Sequence, residues 1–269
     1  WQLGEPDYVV LSEEFTVPAT GVVDYRFPVV DLPFEEDKWV RAVQFIPQER
    51  QVVHHMIARV VGPDYDRNQP AQQRGETRFL EGFAPGKDDA TVFPEGMGVY
   101  IPKGHKIEIS EHYTTFGREV TDQTQIGLYF HDEEPKHEYR TYALSHGGDN
   151  LEIPPGAMEH RMYASYVFDS EVTMHAFRPH MHRKFKVIYP DNSSEDLINV
   201  SNYNFAWQPT YRLSEPKVLP AGSRVVIDGA LDNSVYNPGA TDPTVTTYGG
   251  QQTWEEMFIG YLTYSFTEE

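Results

Sequence analysis

Apolar and polar residues alternate along this chain in short runs, and turn-forming residues separate the runs. The stretch from Lys106 to Tyr113 is the cleanest case. Ile107 and Ile109 fall on one face of a strand there, and Glu108, Ser110 and His112 fall on the other. The same pattern predicts strands from Trp39 to Ile46, Gln51 to Val61, Gln123 to Phe130, Tyr163 to Asp169, Glu171 to Arg178, Lys184 to Tyr189, Ser223 to Leu231 and Met257 to Phe266. Turn chemistry lies between them, as in Pro154-Pro155-Gly156, Pro190-Asp191-Asn192, Pro220-Ala221-Gly222 and Asn237-Pro238-Gly239. Amphipathic helical stretches of ten or more residues are scarce. Many short strands with Gly/Pro turns predict an all-β protein built of sandwiches. The polar stretch from Ser145 to Asn150 reads as a linker. It divides the chain into residues 1–149 and 150–269, each near the usual size of one domain. Two consecutive jelly-roll-like antiparallel β-sandwiches are therefore expected.

Composition narrows the chemistry. The 269 residues carry 22 Lys and Arg against 41 Asp and Glu, a net charge of −19. A nucleic-acid backbone requires a basic face, and an anionic membrane surface would repel this chain. No apolar run is long enough for a membrane span. There is no cysteine, which removes disulfides, thiolate-bound zinc, iron–sulfur clusters and thiol nucleophiles together. The chain opens on Trp1, so it is read as processed, trimmed or a segment of something longer. Two Asn-x-Ser matches, at Asn192 and Asn199, are short enough to arise by chance.

Among 11 histidines, His105, His131, His137, His146 and His160 lie in polar surroundings and read as surface or loop residues. Three placements differ. His54 and His55 are adjacent in an otherwise apolar run, where imidazoles are costly to bury without partners. On a regular strand the two point to opposite faces, so one ion takes both only at a twist, a bulge or a strand end. The alternative is one core and one surface histidine. In Arg178-Pro179-His180-Met181-His182, positions 178, 180 and 182 share a face. His-x-His is a natural bidentate pair, and Pro179 marks an edge or a strand end. His112, on the polar face described above, would by itself be an ordinary surface histidine. Met257 alternates with Ile259 and Tyr261, opposite Phe258 and Leu262. It either fills core space or lines a cleft.

Together these segments resemble the copper type II, ascorbate-dependent monooxygenases, the peptidylglycine- and dopamine-hydroxylating enzymes and their bacterial relatives. The likeness covers about residues 35 to 266. It rests on Val53-His54-His55-Met56, Ile153-Pro154-Pro155-Gly156, Arg178-Pro179-His180-Met181-His182, Asp232-Asn233-Ser234, Asn237-Pro238 and Gln252-Thr253-Trp254-Glu255-Glu256-Met257, in that order. The resemblance implies two sandwich domains facing a cleft, with one copper in each. His54, His55 and His112 would hold the electron-transfer copper. His180, His182 and Met257 would hold the copper at which oxygen and substrate meet. Imidazole suits both copper oxidation states and thioether sulfur favours Cu(I), in keeping with that division.

The function so implied is hydroxylation of a C–H bond in a small organic substrate by O2 and an external reductant, ascorbate or a redox partner or fused redox domain. An extracytoplasmic location, periplasmic or secreted, is expected. Arg178 and Tyr261 match the positions at which the peptide-amidating branch grips a substrate carboxylate, whereas Ile259 stands where that branch has an asparagine. Peptidylglycine is therefore a doubtful substrate. The alternative is a non-catalytic copper carrier on the same scaffold.

Overall fold

The structure is a computed structural model. It describes all residues except 71–72, 85–86, 88, 147–150, 181–183, 201–208, 253 and 268–269. The fold is all-β, and no helix among the described residues is long and apolar enough to cross a membrane. The chain forms two compact units, Trp1–Arg140 and Thr141–Glu269. The boundary thus precedes the expected one at 149/150. The reason is strand pairing: Arg140–Ser145, whose last residue was read as the start of a linker, joins the sheet of the second unit beside Ile259–Phe266.

In the first unit one sheet runs in the order Tyr8–Leu11, Gln125–Phe130, Lys38–Ile46, Met97–Ile101, His137–Glu138, with Thr91–Val92 also pairing with Lys38–Ile46. The other runs Val29–Asp31, Lys106–Tyr113, Val53–Val61, Thr77–Phe83. Pairing is antiparallel apart from His137–Glu138 on Met97–Ile101. Val40, Val43, Val99, Ile126 and Leu128 of the first sheet meet Met56, Val60, Leu80, Ile107 and Ile109 of the second in a single core. Two facing apolar layers of this kind are a β-sandwich. Beneath it lies the fully buried Asp122. Its carboxylate accepts from the Glu49 amide at 2.8 Å, from Thr124 at 2.9 Å and from the Tyr113 hydroxyl at 3.1 Å. Those bonds tie the loop before Val53 to the end of the Lys106–Tyr113 strand.

The second unit repeats the arrangement. One sheet is Arg140–Ser145, Ile259–Phe266, Val172–His180, Tyr211–Leu219, and the other is His160–Val167, Arg224–Leu231, Lys184–Ile188, Ser194–Asn199. Phe177, Leu262, Met174 and Leu219 pack against Phe185, Val187, Val225 and Ile227. Two motifs singled out in the sequence meet at one side chain. The Asn233 amide donates to the carbonyls of Val245 at 2.9 Å, Pro154 at 3.2 Å and Ile153 at 3.4 Å. Its backbone carbonyl accepts from the Gly156 amide at 3.0 Å. Gly156 sits at φ +69°, where a side chain would be strained. The Ile153-Pro154-Pro155-Gly156 and Asp232-Asn233-Ser234 motifs thus form a structural knot.

Candidate metal centre

The site is made by a defect in strand pairing. Val53 lies opposite Tyr113 and His55 lies opposite His112, so His54 is an extra residue with no counterpart on the facing strand. A bulge turns the side chain of the inserted residue away from strict alternation. Both adjacent histidines consequently reach one point. The Nδ1 atoms of His54 and His55 lie 3.0 Å apart, and His112 Nδ1 is 3.4 Å from His55 Nδ1. One ligand atom from each ring lies within 4.8 Å of the other two. The strand-end or bulge condition set by the sequence is met at this position.

His112 differs from its sequence reading. It is 3% exposed, not a surface residue. The polar face of Lys106–Tyr113 is covered: Glu108 and Ser110 are buried with it, and Ile107 and Ile109 occupy the core as expected. Two pieces of chain provide the cover. Tyr25 stacks on the His112 ring at 4.3 Å between centroids and 22° between planes. Tyr65 and Arg67 each donate to Glu108 at 2.7 Å. Alternation alone distinguishes the two faces of a strand but says nothing about what lies over the polar one.

Burial sets the protonation of the cluster. Desolvation lowers the His54 pKa, and desolvation with the nearby His54 ring takes His112 down to about 4. Both rings are neutral at pH 7, the form that ligates a metal. Next to His112, on the core side, Glu111 is buried and paired with Arg26 at 3.0 Å. Burial outweighs that pair and pushes the carboxyl up to about 7.

Sequence reasoning missed Tyr25. Its hydroxyl lies 3.1 Å from His55 Nε2. It reaches the site through a long-range backbone bridge between Arg26 and Glu111, which no short-range motif reveals. His175 was also missed. A bulge between Met174 and Ala176 carries it into the buried interior, where Nε2 lies 2.9 Å from the Ser265 hydroxyl. Of the five histidines read as surface or loop, all are half-buried, and His137 and His160 lie in strands.

The second candidate set is placed in part. His180 ends the Val172–His180 strand opposite Ile259, and Arg178 lies opposite Tyr261. Pro179 stands at the strand end, beyond the last described pair with Tyr211–Leu219. Arg178 lies 5.9 Å from the Tyr261 ring centroid, and its Nε donates to Thr210 at 2.8 Å. Register and alternation put Arg178, His180, Ile259 and Tyr261 on one face of the sheet. Met257 is half-buried, two residues before Ile259. His182 and Met181 lie outside the described residues. Beside Met257, the buried carboxyl of Glu256 is pushed up to about 7 by desolvation.

No family model matches the chain, and no curated protein matches it. Among solved structures it is similar to the major capsid protein P2 of bacteriophage PM2, at 8% identity over 96% of this chain and 97% of that one, with a TM-score of 0.38. It is also similar to the VP2 subviral particle of infectious bursal disease virus, at 9% identity over 97% of this chain and 72% of that one, with a TM-score of 0.24. At these TM-scores neither likeness bears on what the chain does.

Proposed function

We propose that this chain is a copper-dependent monooxygenase that hydroxylates a C–H bond of a small organic substrate with O2 and an external reductant, ascorbate or a redox partner. The observation that carries the reading is the convergence of His54, His55 and His112 at a strand bulge. The cluster fits a transition-metal ion on its own terms. Its donors are imidazoles, and burial favours the neutral form of His54 and His112. Bound copper would supply the one-electron redox chemistry and oxygen binding. His54, His55 and His112 would hold the electron-transfer ion, and His180, His182 and Met257 the ion at the oxygen site. A thioether at the second set favours the reduced ion, which is the oxygen-reactive state.

The remaining residues serve the substrate. Arg178 offers a fixed positive charge on the same face as His180, and Tyr261 adds a phenol beside it. The pair suits a small substrate with an anionic or strongly polar end. Ile259 makes one wall apolar, so the grip has two polar members.

The test is oxygen uptake by the copper-loaded protein with ascorbate, run with and without copper and with Met257→Leu. Uptake that needs both copper and reductant is expected, together with its loss in Met257→Leu. That substitution conserves volume and costs less than about 1.5 kcal/mol of stability. Copper binding without oxygen uptake would favour a carrier. Wild-type uptake in Met257→Leu would remove the second ligand set.

A further inference from the structure

Tyr25 touches two of the three clustered histidines in two different ways. Its hydroxyl lies 3.1 Å from His55 Nε2, and its ring lies flat on His112 at 4.3 Å and 22°. The ring is itself backed. Phe27 stacks with Tyr25 at 6.1 Å and 24°, and the Arg67 guanidinium lies 3.2 Å from the Phe27 centroid. Arg67 is anchored in turn by the buried Glu108 at 2.7 Å. The segment is also pinned by its backbone. The Glu111 amide donates to the Arg26 carbonyl at 2.9 Å and the Arg26 amide to the Glu111 carbonyl at 3.2 Å, next to His112. Arg26 then pairs with Glu111 and Glu13 and covers the Phe15 ring at 4.1 Å. Tyr25 is therefore backed by Phe27 and held through the main chain of the next residue, Arg26.

One tautomer of His55 turns a lone pair toward the other two histidines. His55 Nδ1 is approached by His54 Nδ1 at 3.0 Å and by His112 Nδ1 at 3.4 Å. If the single proton of His55 sits on Nε2 and is donated to the Tyr25 oxygen at 3.1 Å, the one lone pair of His55 Nδ1 points toward the His54 and His112 Nδ1 atoms. A proton on His55 Nδ1 would instead occupy the position that faces the other two rings, where a metal would sit. The partner of the outer nitrogen thus decides which inner nitrogen offers its lone pair, as metal-binding histidines generally require.

We propose that Tyr25 is a positioning residue of the metal centre: its hydroxyl fixes His55 as an Nδ1 ligand, and its backed ring fixes the plane of His112. The inference rests on reading the three-histidine cluster as a metal site, and it does not depend on oxygen chemistry.

The test uses the full-length protein, Cu(II) as the probe and two variants. Tyr25→Phe keeps the stacked ring and removes only the hydroxyl, and Tyr25→Leu removes both. Nitrogen-15 NMR of the metal-free protein reads the His55 tautomer. Titration and EPR read copper affinity and ligand geometry at the His54/His55/His112 site. The wild type should show His55 as the Nε2–H tautomer. Tyr25→Phe should mix the tautomers, weaken Cu(II) by about tenfold to a hundredfold, as loss of such partners typically does, and alter the EPR parameters. Tyr25→Leu should weaken it further. Cu(II) affinity within about twofold of wild type in Tyr25→Phe, with unchanged EPR parameters and tautomer, overturns the inference while leaving the metal centre standing. A wild type that binds no Cu(II) at this cluster overturns the metal centre and the inference together. Copper binding without oxygen uptake affects neither readout.

Discussion

The histidines show how far single residues can be read without their surroundings. His54 and His55 carried a legible contradiction, since two adjacent strand residues cannot face one ion unless alternation fails. The bulge that resolves it, between Val53 and His55, is a property of the facing strand as much as of this one. His112 carried no such signal. Its cover comes from Tyr25, which is distant in sequence and arrives through the Arg26–Glu111 bridge. That cover has a consequence in acid. His112 has a folded pKa of about 4 against 6.5 for a free imidazole. Between those values the unfolded metal-free chain takes up a proton that the native chain refuses. Its stabilising contribution is therefore present above about pH 6.5 and lost as pH falls toward 4. Glu111 and Glu256, raised to about 7, act in the opposite sense, because their burial favours the native protonated form as pH falls. Comparison with a non-titrating variant isolates the histidine. In urea unfolding of metal-free protein, stability between pH 7 and 5 should fall less, or rise more, in His112→Asn than in the wild type. Parallel profiles would mean that His112 is not buried as a neutral ring.

Strands with alternating faces were legible as elements. Lys106–Tyr113 matches its expected bounds, and Lys38–Ile46, Lys184–Ile188 and Arg224–Leu231 differ from theirs by a residue. The missed strands lacked that signal for identifiable reasons. Tyr211–Leu219 lies at the edge of its described sheet, is largely exposed and contains Pro216, so neither burial nor alternation marks it. Thr77–Phe83 buries Glu81 beside Gly82, against the usual pattern. Phe15–Val17 and Val120–Asp122 are three-residue strands that, among the described residues, form a two-stranded sheet, too short to show a period. The Asn233 knot was visible as motifs but not as architecture. Its three carbonyl partners come from two separate segments. Asn233→Ala should leave the buried Ile153 carbonyl and the part-buried Pro154 and Val245 carbonyls without their donor, costing roughly 1–3 kcal/mol in denaturant unfolding of the second unit. Copper at His54, His55 and His112 should be retained. A loss below about 0.5 kcal/mol, the scale of a neutral surface change, would show that the knot does not hold the loops together.

At the scale of the whole molecule, the two-unit plan and the all-β class followed from alternation and turn chemistry, while the boundary did not. Ser145 looked like linker because its neighbours are polar, yet it ends a strand paired in the second unit. Among the described residues the two hydrophobic cores share no member, which fits a proposed ligand set in each unit. Three of the proposed ligands lie in the first unit and three in the second, and this division is what the proposed chemistry needs. The most direct test is therefore the copper content of the full chain, measured after equilibrium dialysis, for the wild type and His112→Ala. Two coppers per chain in the wild type and one in the variant are expected, with the remaining ion bound as tightly as before. Two tightly held coppers in His112→Ala, or none in the wild type, would contradict the account.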